Sequence, residues 1–362
     1  MADVHDPREA VVLGRIERWR RKRPRLKEDA VNLAHGAGGK ASAALVDAVF
    51  LEAFRNDALA ELSDAAVVDL PSGERLAITT DSFVVKPWRF AGGSIGHLAV
   101  HGTVNDLVSV GAQPRWLTAG FVLEEGFAID ELRAVVADMA EAARNAGVAI
   151  VTGDTKVVNR GAADGLYVNT AGVGVVPEGR RLAADRVQPG DKVLVTGTIG
   201  DHGMAVMLAR GDLALDADIV SDTAPLHDLA ESLLAAAPST RWLRDPTRGG
   251  LGTVLNELVR QADVAVLLAE RALPVDRSVL GACDLLGIDP LYVANEGKLV
   301  AVVPPQEARA ALDALRAHEL GKEAAVIGEV RAEPPGVVLL QTAFGGSRIV
   351  DMLVGDPLPR IC

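Results

Sequence analysis

The chain has 362 residues, 49% of them hydrophobic but only 4% aromatic, with 36 glycines and a formal net charge of −12. That length predicts two domains with cores built from Ala, Val and Leu, and the acidic balance argues against a nucleic-acid partner. Two cysteines make no disulfide framework, no apolar run is long enough for a membrane span and no secretory signal stands out, so a cytoplasmic protein is expected.

Residues 1–30 form a leader dense in Arg and Lys ("RIERWRRKRPRLKED"), read as a disordered or frayed segment or a basic docking arm. Residues 41–54 carry apolar positions at helical spacing after a glycine-rich turn. "AAVVDL" and "RLAITTDSFVV" read as strands, being rich in β-branched residues between polar punctuation. "GGSIGHLAVHGTVNDLVSVG" turns from glycines into helix, and "PRWLTAGFVLEE" is a strand. "IDELRAVVADMAEAARNAG" is an amphipathic helix with glycine just past its end. "VAIVTGDTKVV" and "GLYVNTAGVGVV" are further strands. A turn at Pro189 and Gly190 marks a junction, so the expected domains are 31–184 and 185–340. The second repeats the α/β alternation through "DPTRGGLGTVLNELVRQA", "VAVLLAE", "EGKLVAVVP" and "EAAVIGEV". Residues 341–362 have weak periodicity and read as a flexible tail.

Asp64, Asp81, Asp106 and Asp154 each lie beside a strand or helix start, among small or β-branched neighbours. Such carboxylates suit Mg²⁺, which takes oxygen ligands and binds together with phosphates; the plain alternative is that they cap turns and helices. Lys156 follows the last of them by two residues. "AHGAGGKAS", with Gly36, Gly38 and Gly39, precedes a helix and offers backbone N–H groups to a phosphate, though it lacks Walker A spacing. "DPTRGGLG" (residues 245–252) is either a second anion-binding corner or an N-cap. Glu296 sits in a turn before a strand, where burial would make it a general base and exposure an ordinary turn residue. His35, His97, His101 and His202 have no metal-ligand spacing, and Cys283 lies on an apolar helical face. Cys362 ends the sequence beyond Pro357 and Pro359, placed for a carrier thiol that swings to a distant site or else a ragged terminus. Counted from Phe344, an extended tail would reach about 60 Å.

Together, "TTDSFVV", "GGSIGHLAVHGTVNDL", "GFVLEEG", "AIVTGDTKVV", "RGAADG", "GTIGDHG", "DPTRGG", "ANEGKL" and "PLPRIC" resemble the HypE family of hydrogenase maturation factors, the carbamoyl dehydratases, over residues 31–362. The basic leader lies outside that pattern. The family is similar in fold to aminoimidazole ribonucleotide synthetase and selenophosphate synthetase. The resemblance therefore implies an α/β (α+β), two-domain protein with mixed sheets packed by helices and a flexible C-terminal tail. It also implies that a carbamoyltransferase loads Cys362, that ATP activates the carbamoyl oxygen, and that dehydration leaves a thiocyanate. The cyanide then passes to the iron of a nascent [NiFe]-hydrogenase centre held by an iron-scaffold complex. By the same resemblance Asp64, Asp81, Asp106 and Asp154, with Asn105, match nucleotide and Mg²⁺ motifs, and Lys156 a lysine near the phosphates or carbamoyl group. Glu296 is the chosen base, the segment around Gly38 closes over the phosphates, and the first domains pair into a homodimer with ATP near the interface. A selenophosphate synthetase is disfavoured because "HGAGGKAS" carries no cysteine. A non-catalytic nucleotide-binding scaffold is the rival of another class.

Overall fold

The structure is a computed structural model and describes residues 26–211, 217–355, 358 and 360–362. Most of the basic leader, residues 1–25, lies outside the described residues.

The first sheet is built from β1 (Ala66–Asp69) and β2 (Arg75–Phe83), and after the ribbon β3 (Arg89–Phe90) and β4 (Gly93–Ser94) from β5 (Gln113–Glu124), β6 (Ala149–Val158) and β7 (Leu166–Val176). Its order is β1-β2-β7-β5-β6. β5 and β6 run parallel while the other neighbours are antiparallel. A parallel neighbour requires a crossover, and helix α2 (Ile129–Asn145) supplies it between β5 and β6. In β7 buried positions alternate along the strand, as the period of two demands for a sheet with one covered face. The cover is α1 (Ile95–Ser109), which packs against β2, β5 and β7 and is buried on almost every side. Nothing in its length is strongly amphipathic, because it is enclosed between the first sheet and the second half of the chain. The predicted helix over 41–54 is a helical run with a widened turn at Val46–Leu51.

The second half holds α3 (Asp201–Arg210), α4 (His227–Ala236), α5 (Gly250–Ala262), α6 (Arg277–Leu286) and α7 (Ala308–Ala317). Its strands are β8 (Lys192–Val195), β9 (Trp242–Arg244), β10 (Ala265–Ala269), β11 (Val300–Val303), β12 (Ala325–Arg331), β13 (Val337–Gln341) and β14 (Ser347–Val350). They form a seven-stranded mixed sheet in the order β14-β13-β10-β12-β8-β11-β9. "VAVV" in β11 is wholly buried, which an unbroken aliphatic run requires of a strand covered on both faces. A single apolar cluster passes from Phe83, Leu98 and Met139 in the first half to Met204, Val293 and Leu299 in the second.

The described residues of the segment expected to be a flexible tail are instead built into the fold. β14 pairs antiparallel with β13, and Met352, Leu358 and Ile361 are buried. β13 offers a free edge there, and a four-residue strand that joins it satisfies its backbone groups without any strong pattern of its own.

Candidate active site

Three carboxylates converge where the two halves meet. Asp64 precedes β1, Asp106 projects from the last turns of α1, and Asp245 follows β9. One oxygen of each lies within 4.8 Å of the others. Thr79 of β2 ties the group together: its hydroxyl is 2.8 Å from Asp106 Oδ2 and 2.8 Å from the Asp64 carbonyl. Arg244 Nε donates to Asp64 Oδ1 at 2.8 Å and sets a cation against the three acids. Loss of hydration, followed by repulsion from Asp245 and Asp64, pushes the Asp106 carboxyl well above its ordinary range. Loss of hydration, then Asp64, does the same to Asp245, with Arg244 opposing. Asp64 Oδ2 is buried without a hydrogen-bond partner among the described residues. A compact all-oxygen set with an orphaned carboxylate oxygen fits a hard divalent cation such as Mg²⁺.

Beside this cluster stands Arg248, in the turn that opens α5. The turn needs two successive left-handed residues, Gly249 (φ 74°) and Gly250 (φ 59°), which explains the glycine pair of "DPTRGG". The charges that act most on Arg248 are Cys362 first, then Asp81, Glu296 and Asp106, and together they raise its pKa. Glu296 is buried in the turn before β11. Burial, then Asp81, Asp245 and Asp222, raises its pKa well above the carboxylate range, with Arg248 opposing. Its main chain is fixed from both sides: its N–H donates to Asp222 Oδ1 at 3.0 Å, and its carbonyl accepts from Asn105 Nδ2 at 3.1 Å. Gly297 follows because a Cβ there would fall 1.7 Å from the Asp222 carbonyl oxygen.

The residues expected from the sequence take different stations. Asp64 and Asp106 are in the cluster, and Asp81 on β2 lies beside Arg248 and Glu296. Asp154 and Lys156 are on β6, the outer edge of the first sheet, 66% and 68% exposed and paired at 2.5 Å, so Asp154 is not among the carboxylates that meet. Asn105 spends its amide inside the protein: Nδ2 donates to Ala224 and Glu296 carbonyls, and Oδ1 accepts from Leu226 N–H at 2.9 Å. The glycine-rich segment packs against the second half rather than standing free. Gly36 O accepts from Arg248, a Cβ on Gly38 would meet Arg248 at 3.0 Å, and one on Gly39 would strike the Leu353 carbonyl at 2.4 Å. Cys362 is docked with its carbonyl accepting from Val84 N–H at 3.0 Å. Cys283 is buried, its thiol pushed up to about 11 by loss of hydration.

Sequence reasoning missed Asp245 as a cluster member, and Arg248 and Asp222 as the charges around Glu296. The signal for the first two was present in "DPTRGG", read from the sequence as an anion-binding corner or an N-cap and as part of the family pattern. A cavity of about 570 Å³ opens on the other side of Arg244, lined by Gly39, Val46, Glu257 and Met352 among others, and does not include the acidic cluster.

Two sheet-and-helix halves enclosing an acidic cluster define a class, and the match to known sequences is to that class. Residues 62–176 match the AIR synthase related protein N-terminal domain, and residues 188–341 its C-terminal domain. Within it, the carbamoyl dehydratase HypE of Azotobacter vinelandii is 52% identical over 337 residues, which is 93% of this chain and 98% of that protein. The structure of HypE in a HypE–HypF complex has a TM-score of 0.81 at 49% identity, over 86% of this chain and 100% of that one. HypE in complex with ATP has a TM-score of 0.77 at 47% identity, over 92% and 100%. The chain belongs to the HypE family of carbamoyl dehydratases. Among the described residues no helix is long and apolar enough to cross a membrane.

Proposed function

We propose that the chain converts an S-carbamoyl group on Cys362 into a thiocyanate with ATP, in the cytoplasm, as the source of the cyanide ligand in [NiFe]-hydrogenase maturation. The observation that carries this reading is the docking of Cys362, whose main-chain oxygen accepts from Val84 N–H at 3.0 Å, with its charge acting on Arg248 together with those of Asp81 and the buried Glu296. An amide does not lose its oxygen as oxide at a useful rate, so the oxygen must first become a leaving group. The carbamoyl oxygen attacks the γ-phosphorus of ATP, ADP departs, and the carbon carries an O-phosphate and an imino N–H. Removing that proton forms the C≡N bond and releases phosphate. The sum is S-carbamoyl plus ATP giving thiocyanate, ADP, phosphate and a proton.

Phosphoryl transfer demands positioning and charge neutralisation more than covalent help. Arg248 supplies a guanidinium on which the charges of Cys362, Asp81, Glu296 and Asp106 all act. Asp64, Asp106 and Asp245 would hold Mg²⁺, which when bound supplies positive charge opposite the phosphates. Glu296 takes the N–H protons. Its raised pKa makes its carboxylate a stronger base than a surface Glu, and filling the acidic cluster with a cation removes the repulsion from Asp245 and so favours ionisation.

β6 is exposed along its length, with Val151 and Val157 uncovered and Trp116 exposed on the neighbouring β5. An uncovered apolar edge supports pairing of two copies through their first sheets, which would carry Asp154 and Lys156 to an interface. The solved complex of a relative with HypF supports loading of Cys362 by a separate carbamoyltransferase, and an iron-scaffold complex then accepts the cyanide.

One mass spectrum of the C-terminal peptide tests the reading, taken after incubation with carbamoyl donor, transferase and MgATP. A peptide one water lighter than the carbamoylated form is expected, and Cys362→Ala is expected to abolish it while ATP still binds. A carbamoylated peptide that persists while ATP remains bound would instead mark a scaffold.

A further inference from the structure

The last three carbonyl oxygens of the chain are each held by a separate donor, and two of the donors come from one helix. Arg210, at the end of α3, donates through Nη2 to the Arg360 carbonyl, and its Nε donates to the Lys86 carbonyl at 2.8 Å. His202, in the first turn of α3, lies with Nε2 2.7 Å from the Ile361 carbonyl. Val84 N–H takes the Cys362 carbonyl.

The His202 ring is fully buried and its other nitrogen, Nδ1, is 2.8 Å from Ser221 Oγ. A carbonyl can only accept, so the proton sits on Nε2. In the neutral ring Nδ1 then accepts from the Ser221 hydroxyl, whose oxygen receives the Thr223 N–H at 3.2 Å. Phe90 stands edge-on to the ring and fixes its plane. Burial disfavours the charged imidazolium, which matches this single tautomer.

The bound segment is bent to fit. Arg360 has φ 56°, a left-handed conformation that a residue with a side chain takes only where its surroundings impose it. The bend lets the Ile361 side chain enter the core while Arg360 turns out to Asp164 at 2.7 Å and to the Val84 carbonyl. Apart from the side chains of Leu358, Arg360 and Ile361, this grip is on the main chain and does not use the Cys362 sulfur, so it fixes the position of Cys362 whatever group that sulfur carries.

We propose that His202 and Arg210 are positioning residues that hold the C-terminal segment so that Cys362 meets Arg248 and Glu296, and that breaking this hold is what frees the thiol for loading. The link to chemistry rests on the reaction proposed above. The docking itself does not.

The full chain with His202→Leu, His202→Gln and Arg210→Met tests it by two readings. The first is the rate at which iodoacetamide alkylates Cys362, followed on the peptide with buried Cys283 as reference. The second is single-turnover thiocyanate formation from the carbamoylated chain. His202→Leu and Arg210→Met are each expected to raise alkylation about fivefold or more, the population shift from losing one hydrogen bond. Both should slow thiocyanate formation by a similar factor. His202→Gln, which keeps an amide donor, should move both rates back toward the unaltered chain. Arg210 is half-buried, so its variant decides the matter if His202→Leu fails to fold. Unchanged alkylation and turnover in Arg210→Met and His202→Leu would overturn the proposal. If the unaltered chain forms no thiocyanate, the reaction reading falls, and the alkylation rates still decide the hold.

Discussion

Replacing Asn105 with Ala separates a structural amide from a nucleotide ligand. Three backbone groups depend on that side chain: the carbonyls of Ala224 and Glu296, and the N–H of Leu226. Asn105 is itself buried, as are Glu296 and Leu226, so water cannot readily replace what the truncation removes. A hydrogen bond contributes about 1 kcal/mol net, and a buried partner left unsatisfied costs about 1–3 kcal/mol, so three give a loss of about 3 kcal/mol or more. The loss should fall where the two halves join, because α1 belongs to the first sheet's cover and Glu296 to the second half. Urea unfolding followed by tryptophan fluorescence reads the loss, and calorimetric titration with ATP reads binding. Asn105→Asp should fare no better than Ala, since a carboxylate would face two carbonyl oxygens. An Asn105→Ala chain that unfolds within about 0.5 kcal/mol of the unaltered protein but no longer binds ATP would refute the reasoning and put the amide on the nucleotide.

Glu296→Gln is expected to bind ATP and accept carbamoyl but to stall before thiocyanate, seen as a carbamoylated peptide that persists in a mass-spectrometric time course. Because the folded carboxyl has a raised pKa and the base form is the ionised one, turnover should fall as pH drops through that raised value, while ATP binding holds; a rate–pH profile without that acid limb in the unaltered chain counts against Glu296. Asp245→Asn should weaken magnesium binding by at least tenfold, about 1.4 kcal/mol, and at low magnesium should make the fold more stable than the unaltered chain because one buried like charge is gone; isothermal titration and thermal melting check the two halves. Cys283 should resist alkylation at neutral pH in the folded protein and react only on unfolding, as its thiol titrates near 11.

Much of this architecture was readable from local pattern. "RLAITTDSF" and "GLYVNTAGVGVV" alternate as half-covered strands do, and they are β2 and, after Gly165, the whole of β7. "EAAVIGEV" likewise corresponds to β12, and the amphipathic helix before Gly147 is α2. β14 was not readable, since "SRIV" has neither length nor alternation and becomes a strand only because β13 waits beside it. The site divides along the same line. Asp64 and Asp106 stood out by their small and β-branched neighbours, but Asp245 joins them from far along the chain, a distance no local pattern crosses. Asn105 lies next to Asp106 in sequence, and the helix turns the two in different directions: one into the cluster, the other under Glu296. His202 stands inside the quoted motif "GTIGDHG", but nothing local shows its role, because its partner, the Ile361 carbonyl, is 159 residues away.

The pairing of β14 with β13 sets a leash length. With Val350 stitched to the sheet, the stretch from Asp351 to Cys362 could span at most about 40 Å if drawn straight, against the 60 Å available from Phe344. Lys40 shortens even that while its ammonium grips Asp351 at 2.7 Å and its N–H holds the Leu353 carbonyl. Any protein that handles the sulfur must therefore present its reaction centre close to the rim of the second sheet, or peel the final strand away to reach it.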